Sequence, residues 1–191
     1  MRLLALLLVL VPALAWGVSG VDTLIPTAAS TPWGWDLSGG SDSVVLVVPP
    51  DDGGTTTIGS GTASAQARYA LSNTDIPAGA TYDSVVMSTR AAANPSDASY
   101  AQGVVLGADS TQSSPILAEG GFTTYATVNN KLACPDGGAW SEAHVNDLLA
   151  YVKIINDVHT IFVTTICVLV YYTDGTSAAS GGLDPVMWFA D

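Results

Sequence analysis

The run Thr160-Ile-Phe-Val-Thr-Thr-Ile-Cys-Val-Leu-Val-Tyr-Tyr172 decides the fold. It is rich in β-branched and aromatic residues and contains neither Gly nor Pro, so it reads as the strongest strand of the chain. A strict two-residue period turns Ile161, Val163, Cys167 and Leu169 one way and Phe162, Ile166, Val168 and Val170 the other. A strand with one solvated face should be polar on that face. Both faces are apolar here, so the outer side needs a cover, either the protein's own tails or a neighbouring subunit.

Shorter runs of the same kind precede it. They are 43–48, 55–58, 66–71, 82–90, 100–106, 113–117 and 123–128, with 151–155 just before the long strand. In 66–71, Ala67, Tyr69 and Leu71 share one face and Gln66 and Arg68 the other. Turn residues recur every eight to twelve positions, as in a sandwich or jelly roll. One helix interrupts the series. Ser141 is suited to the N-cap and Glu142 to the first turn. Val145, Leu148, Leu149 and Val152 have helical spacing and give one buried stripe.

Composition narrows the class. Five Lys plus Arg stand against 17 Asp plus Glu, a formal charge of −12. That excludes a nucleic-acid partner, which needs a basic face. With 48% apolar and only 12% charged residues, the chain is no disordered acidic tail. Two Glu and two Lys leave too few helix formers for a helical bundle.

Residues 1–20 read as an export signal, with Arg2 before the apolar run 3–16 and small residues at Gly17, Ser19 and Gly20. Cleavage is expected after Gly20; Gly17, with Ala15, offers a second site. The apolar run 3–18 is short for a bilayer span of roughly 20 residues. The expected domains are the signal peptide (1–20), an N-terminal extension (21–40), the jelly roll (41–173), and a flexible linker with an apolar tail (174–191). The protein is expected outside the cell or at its surface, without membrane attachment once the leader is removed.

Export suits a disulfide between Cys134 and Cys167, worth roughly 3 kcal/mol or more. The other reading keeps Cys167 as a buried thiol in a strand and Cys134 in a loop. There is no CxxC and no Cys/His cluster, so no metal site is expected. His144 and His159 lack the acidic neighbours of a zincin or a nucleophile triad. Asp51 and Asp52 read as turn residues. No catalytic residue and no cofactor are expected.

Several segments match a known group more closely. They are Trp35-Asp-Leu-Ser-Gly-Gly40, Ile76-Pro-Ala-Gly-Ala80 leading into Ser84-Val-Val86, Gly137-Gly-Ala-Trp-Ser141 with Val145-Asn-Asp-Leu148 and Val152-Lys153, and the long strand closing at Tyr171-Tyr172. Together, over about 35–173, they resemble a poorly characterised group of jelly-roll domains in phage structural genes and environmental surface or filament proteins. Where that group has Asn before Pro-Asp, this chain has Cys134 before Pro135-Asp136, so the loop is expected to be tied differently. The resemblance implies a non-enzymatic, self-associating structural role.

The resulting expectation is an all-β jelly-roll sandwich with one short helix and extended apolar tails. It would be a filament or appendage subunit, polymerising with copies of itself. A terminal strand would add to a neighbour's sheet edge. Candidate contacts are Leu24, Ile25, Trp33 and Trp35 at one end and Val186, Met187, Trp188 and Phe189 at the other. The acidic surface would keep fibres from bundling. The alternatives are a carbohydrate-binding or adhesion module, with Trp33, Trp35, Trp140 and Trp188 as a stacking platform, and a phage decoration protein. Glycans enter as ligands or as O-linked sugar on the Ser/Thr-rich loops.

Overall fold

The computed structural model describes residues 18–33, 36–38, 57–60, 65–94, 98–117, 125–155 and 160–175. Twelve strands are seen among them. They are β1 (Val18–Leu24), β2 (Pro26–Trp33), β3 (Asp36–Ser38), β4 (Thr57–Ser60), β5 (Gln66–Leu71), β6 (Thr81–Asn94), β7 (Ser99–Leu106), β8 (Asp109–Gln112), β9 (Ile116–Leu117), β10 (Ala126–Leu132), β11 (Leu149–Ile154) and β12 (Thr160–Asp174). One helix, α1 (Glu142–Asn146), separates β10 from β11.

The pairing is nested. β7 pairs with β8, β6 with β10, β5 with β11, and β1 with β12, all antiparallel. One long double ribbon is thus rolled into two sheets, which is the jelly-roll topology. Sheet one runs β10-β6-β12-β4-β3, with β1 on the far half of β12; sheet two runs β2-β5-β11-β7-β8, with β9 on β7. The expected fold class is what the chain adopts.

The core lies between the sheets. Ala67, Tyr69 and Leu71 point into it from β5, as their spacing requires. Met87, Tyr100, Ile154 and Ile166 are among its fully buried side chains. Each such large residue contributes about 1.5–3 kcal/mol relative to exposure. A polar bridge crosses this core. Gln102 on β7 donates through Nε2 to Thr89 Oγ1 on β6 at 2.6 Å and to the Val128 carbonyl on β10 at 2.9 Å. Its Oε1 accepts from Asn130 Nδ2 at 3.2 Å, and Thr89 Oγ1 also meets the Tyr100 hydroxyl at 3.2 Å.

Five expectations change. The faces of β12 do not follow a strict two-residue period. A bulge at Thr164 shifts the register between Val163 and Thr165. Ile161 and Val163 enter the core before it, and Ile166, Val168 and Val170 after it. Cys167 and Leu169 therefore share the outer face with Phe162. An extra residue in a strand reverses every side chain beyond it.

The helix is the second correction. It ends at Asn146, and Leu149 and Val152 lie in β11. Their helical spacing is fortuitous, since Val152 also obeys the β alternation with Ala150 and Ile154. Third, the segment expected as an N-terminal extension supplies β1, one strand of the outermost pair of the nested ribbon. Leu24 is fully buried there.

Fourth, strand boundaries move. β10 ends four residues beyond the expected run, 113–117 shrinks to β9, and the polar edge strand β8 was not anticipated. Run 43–48 and the tail 176–191 lie outside the described residues.

Fifth, Cys134 and Cys167 are free and both buried, not paired. Cys167 faces Ser88 on β6, and β10 lies one strand further out. Two strand spacings are about 9–10 Å, before Cys134's position beyond the end of β10 is added. A disulfide needs Cα atoms within about 7 Å. The alternative reading, a buried strand thiol and a loop cysteine, is the one found.

Candidate functional site

Two places combine exposure with unusual chemistry. The first is the outer face of sheet one. Antiparallel pairing puts Val21 directly beside Tyr171, and Thr23 beside Leu169. On the other flank of β12, Leu169 lies beside Val86 and Cys167 beside Ser88. Val21 is 51% and Tyr171 38% exposed, while the other large side chains of this strip are half-buried or buried. The outward positions Ser19, Val21, Thr23, Cys167, Leu169 and Tyr171 carry no charge, although the chain's formal charge is −12.

The expected assembly contacts fare unevenly. Leu24 fills its own core and is no surface contact. Ile25 is half-buried; its N–H donates to Ser72 Oγ at 3.2 Å and its carbonyl accepts from Ser72 N–H at 2.8 Å. Trp33 stands opposite Gln66 at the end of β2. Trp35, Val186, Met187, Trp188 and Phe189 lie outside the described residues. Trp140 is half-buried and packs against the core.

The second place is the loop from β10 into α1. Leu132 is buried at the end of β10, and Thr111 Oγ1 donates to the Ala133 carbonyl at 2.8 Å. The chain then turns. Gly137 N–H donates to the Cys134 carbonyl at 3.0 Å, and Gly137 takes φ 78°, a conformation that favours glycine. Asp136 Oδ1 accepts from Gly138 N–H at 2.8 Å, which leaves Oδ2 free to face elsewhere.

Helix α1 follows. Ser141 caps it by accepting from His144 N–H at 3.3 Å, as its residue type predicts. Val145 plugs it into the core, and Asn146 Oδ1 accepts from Thr74 N–H at 2.9 Å. Thr74 in turn donates to Asp22 Oδ2 at 2.7 Å, tying the helix to β1.

These supports bring Cys134, Asp136 and His144 together. One donor atom from each lies within 4.8 Å of the other two. Cys134 Sγ is 3.5 Å from His144 Nδ1, and His144 Nε2 is 3.4 Å from Asp136 Oδ2. Burial, and then the neighbouring Asp136, push the Cys134 thiol up to about 11. The Gly138 N–H, followed by Cys134, holds the Asp136 carboxyl below its ordinary value. A Cys/His cluster was expected to be absent, and this grouping corrects that expectation. The signal was present as Cys134-x-Asp136 with His144 eight positions on. A Pro-Asp-Gly-Gly turn and an N-cap at Ser141 lie between and fold the spacing back on itself.

No family model matches the chain, and no curated protein matches it. Among solved structures it is similar to a carbohydrate-binding module of Cellvibrio mixtus lichenase 5A in complex with cellotriose. The identity is 16% and the TM-score 0.38, over 80% of this chain and 94% of that one. The class that the topology defines is a jelly-roll β-sandwich domain.

Proposed function

We propose that the protein is an exported structural subunit that self-associates into a filament or appendage through the outer face of sheet one. One observation carries this reading: the apolar strip of Val21, Tyr171, Leu169 and Val86, bordered by the exposed Lys131 beside Val86, on a chain of net negative charge. Exposed contiguous apolar surface favours association. The absence of charge on these positions removes the repulsion that a net charge of this size imposes elsewhere. A second copy is the occupant. The apolar sequence Val186-Met-Trp-Phe189, outside the described residues, is the segment of that copy suited to lie along the strip. A heterologous contact of this kind propagates into a filament when its rotation does not close.

Sedimentation and electron microscopy of the exported protein at physiological salt test the proposal. Large regular species are expected, and Leu169→Lys with Tyr171→Lys should reduce them to single subunits. Deleting 183–191 should do the same. Assembly that survives the deletion but not the double substitution would assign the strip to face-to-face contact without the tail. Monomeric wild-type protein, or fibres indifferent to the double substitution, would overturn the proposal.

The leader belongs to the same reading. Val18, Ser19 and Gly20 pair with Asp174, Thr173 and Tyr172. Gly20 lies under the Tyr172 ring, where a Cβ would collide with Cζ, Oη and Cε1. Cleavage after Gly20 would remove these three residues of β1, whereas cleavage after Gly17 keeps them. N-terminal sequencing of the exported protein is expected to begin at Val18; a start at Val21 would show that the first three pairs are dispensable.

A further inference from the structure

We propose that Cys134, Asp136 and His144 form a binding site for one divalent transition-metal ion of the zinc class. The donor set is a thiol sulfur, an imidazole nitrogen and a carboxylate oxygen, one from each residue. Zinc takes these three donor types at about 2.3, 2.0–2.1 and 2.0–2.2 Å in a tetrahedron. Two N/O ligands on such a tetrahedron stand about 3.4 Å apart. His144 Nε2 and Asp136 Oδ2 are 3.4 Å apart.

The orientation of the imidazole supports the assignment. Its Nδ1 lies 3.1 Å from the Ala139 carbonyl oxygen. A carbonyl only accepts, so this contact places the hydrogen on Nδ1. In the neutral ring the lone pair is then on Nε2, and it faces a carboxylate oxygen. Two electron-rich atoms face each other stably only with a proton or a metal cation between them, and the metal titration below distinguishes the two. A backbone carbonyl on the far nitrogen is also the usual outer-sphere partner of a metal-bound histidine. Asp136 is oriented in the same way, because Gly138 N–H occupies Oδ1 and leaves Oδ2 to the site.

The choice of ion follows from the donors. Sulfur and imidazole disfavour calcium and magnesium, which take oxygen ligands, and favour zinc, with cobalt as its spectroscopic substitute. Three ligands leave one position open. Cys134 is buried, but the His144 and Asp136 side chains are 27% and 40% exposed, so water reaches that position. On binding, the Cys134 S–H bond breaks, its proton passes to solvent, and the sulfur lone pair forms the metal bond.

Titration of the reduced full-length protein with cobalt(II) alone, followed by displacement with zinc(II), tests the proposal. One equivalent of cobalt should produce a thiolate-to-metal charge-transfer band that one equivalent of zinc removes. Cys134→Ser should abolish the band. His144→Gln and Asp136→Asn should weaken binding about tenfold or more, by loss of a direct ligand. Cys167→Ser should leave both unchanged. His144 is only partly buried, so its variant keeps the test sound even if Cys134→Ser fails to fold. In that variant, protecting Cys134 from alkylation should take about tenfold more zinc, or above, relative to the wild type. No saturable band, a band lost in Cys167→Ser, or protection at the wild-type zinc concentration in His144→Gln would overturn the proposal.

Discussion

Replacing Gly103 by alanine is expected to lower folding stability by about 1–3 kcal/mol, the usual cost of forcing extra volume into packed surroundings. Gly103 on β7 is the direct cross-strand partner of Tyr151 on β11. The tyrosine ring lies across the glycine, and a Cβ there would run into its Cζ, Oη and Cε1. The ring cannot easily swing away. Tyr151 is 3% exposed, and its hydroxyl donates to Gln112 Oε1 on β8 at 3.2 Å. A glycine covered by a cross-strand aromatic is a known way to recover packing that glycine forfeits. Urea unfolding should show a lower midpoint at unchanged slope. Adding Tyr151→Thr should recover part of the loss, because the colliding ring is gone and a β-branched residue takes its place. A cycle with no coupling between the two positions would refute this account.

Gln102→Leu should be comparably costly, about 2–3 kcal/mol by denaturant titration, because it breaks a buried network rather than a single bond. The leucine fills similar space but leaves the Val128 carbonyl and Asn130 Nδ2 without the partner they have now. Thr89, fully buried, keeps only its contact with the Tyr100 hydroxyl. Thr89→Val together with Tyr100→Phe in the same chain should restore part of the stability, since neither apolar replacement needs a partner there. A neutral Gln102→Leu variant would mean that the bridge between the sheets contributes specificity and not stability.

Gln102 also shows where the sequence falls silent. The run Tyr100 to Leu106 is legible as a strand, and so is the alternation of Ala67, Tyr69 and Leu71. Both follow from local periodicity. A buried glutamine looks the same in sequence as an exposed one; only Thr89, Val128 and Asn130, brought in by non-local pairing, make its burial tolerable. The bulge at Thr164 is hidden for a related reason. Thr164 and Thr165 suit a strand equally, and the reversal of faces depends on how β6 pairs opposite them. The N-cap at Ser141 is readable because capping is local, whereas the end of α1 is set by β11 joining β5 and β7. In the Cys134, Asp136 and His144 grouping, the residues were visible but the turn geometry that closes them was not.

The partnership of β1 with β12 has a mechanical consequence. Val18 and Asp174 are register partners, so the chain enters and leaves the domain at the same corner of sheet one. Tension applied between those two points pulls the strands apart one hydrogen-bonded pair at a time, beginning at Val18 and Asp174. The bonds therefore meet the load in succession and never all together. A fibre whose load ran through both chain ends would peel open at low force. Load carried across the faces of the sandwich would leave this seam unstressed. The same closure makes synthesis order matter: β1 emerges first, but its partner is complete only when residue 174 has been made, so this sheet edge stays open until almost the whole domain exists.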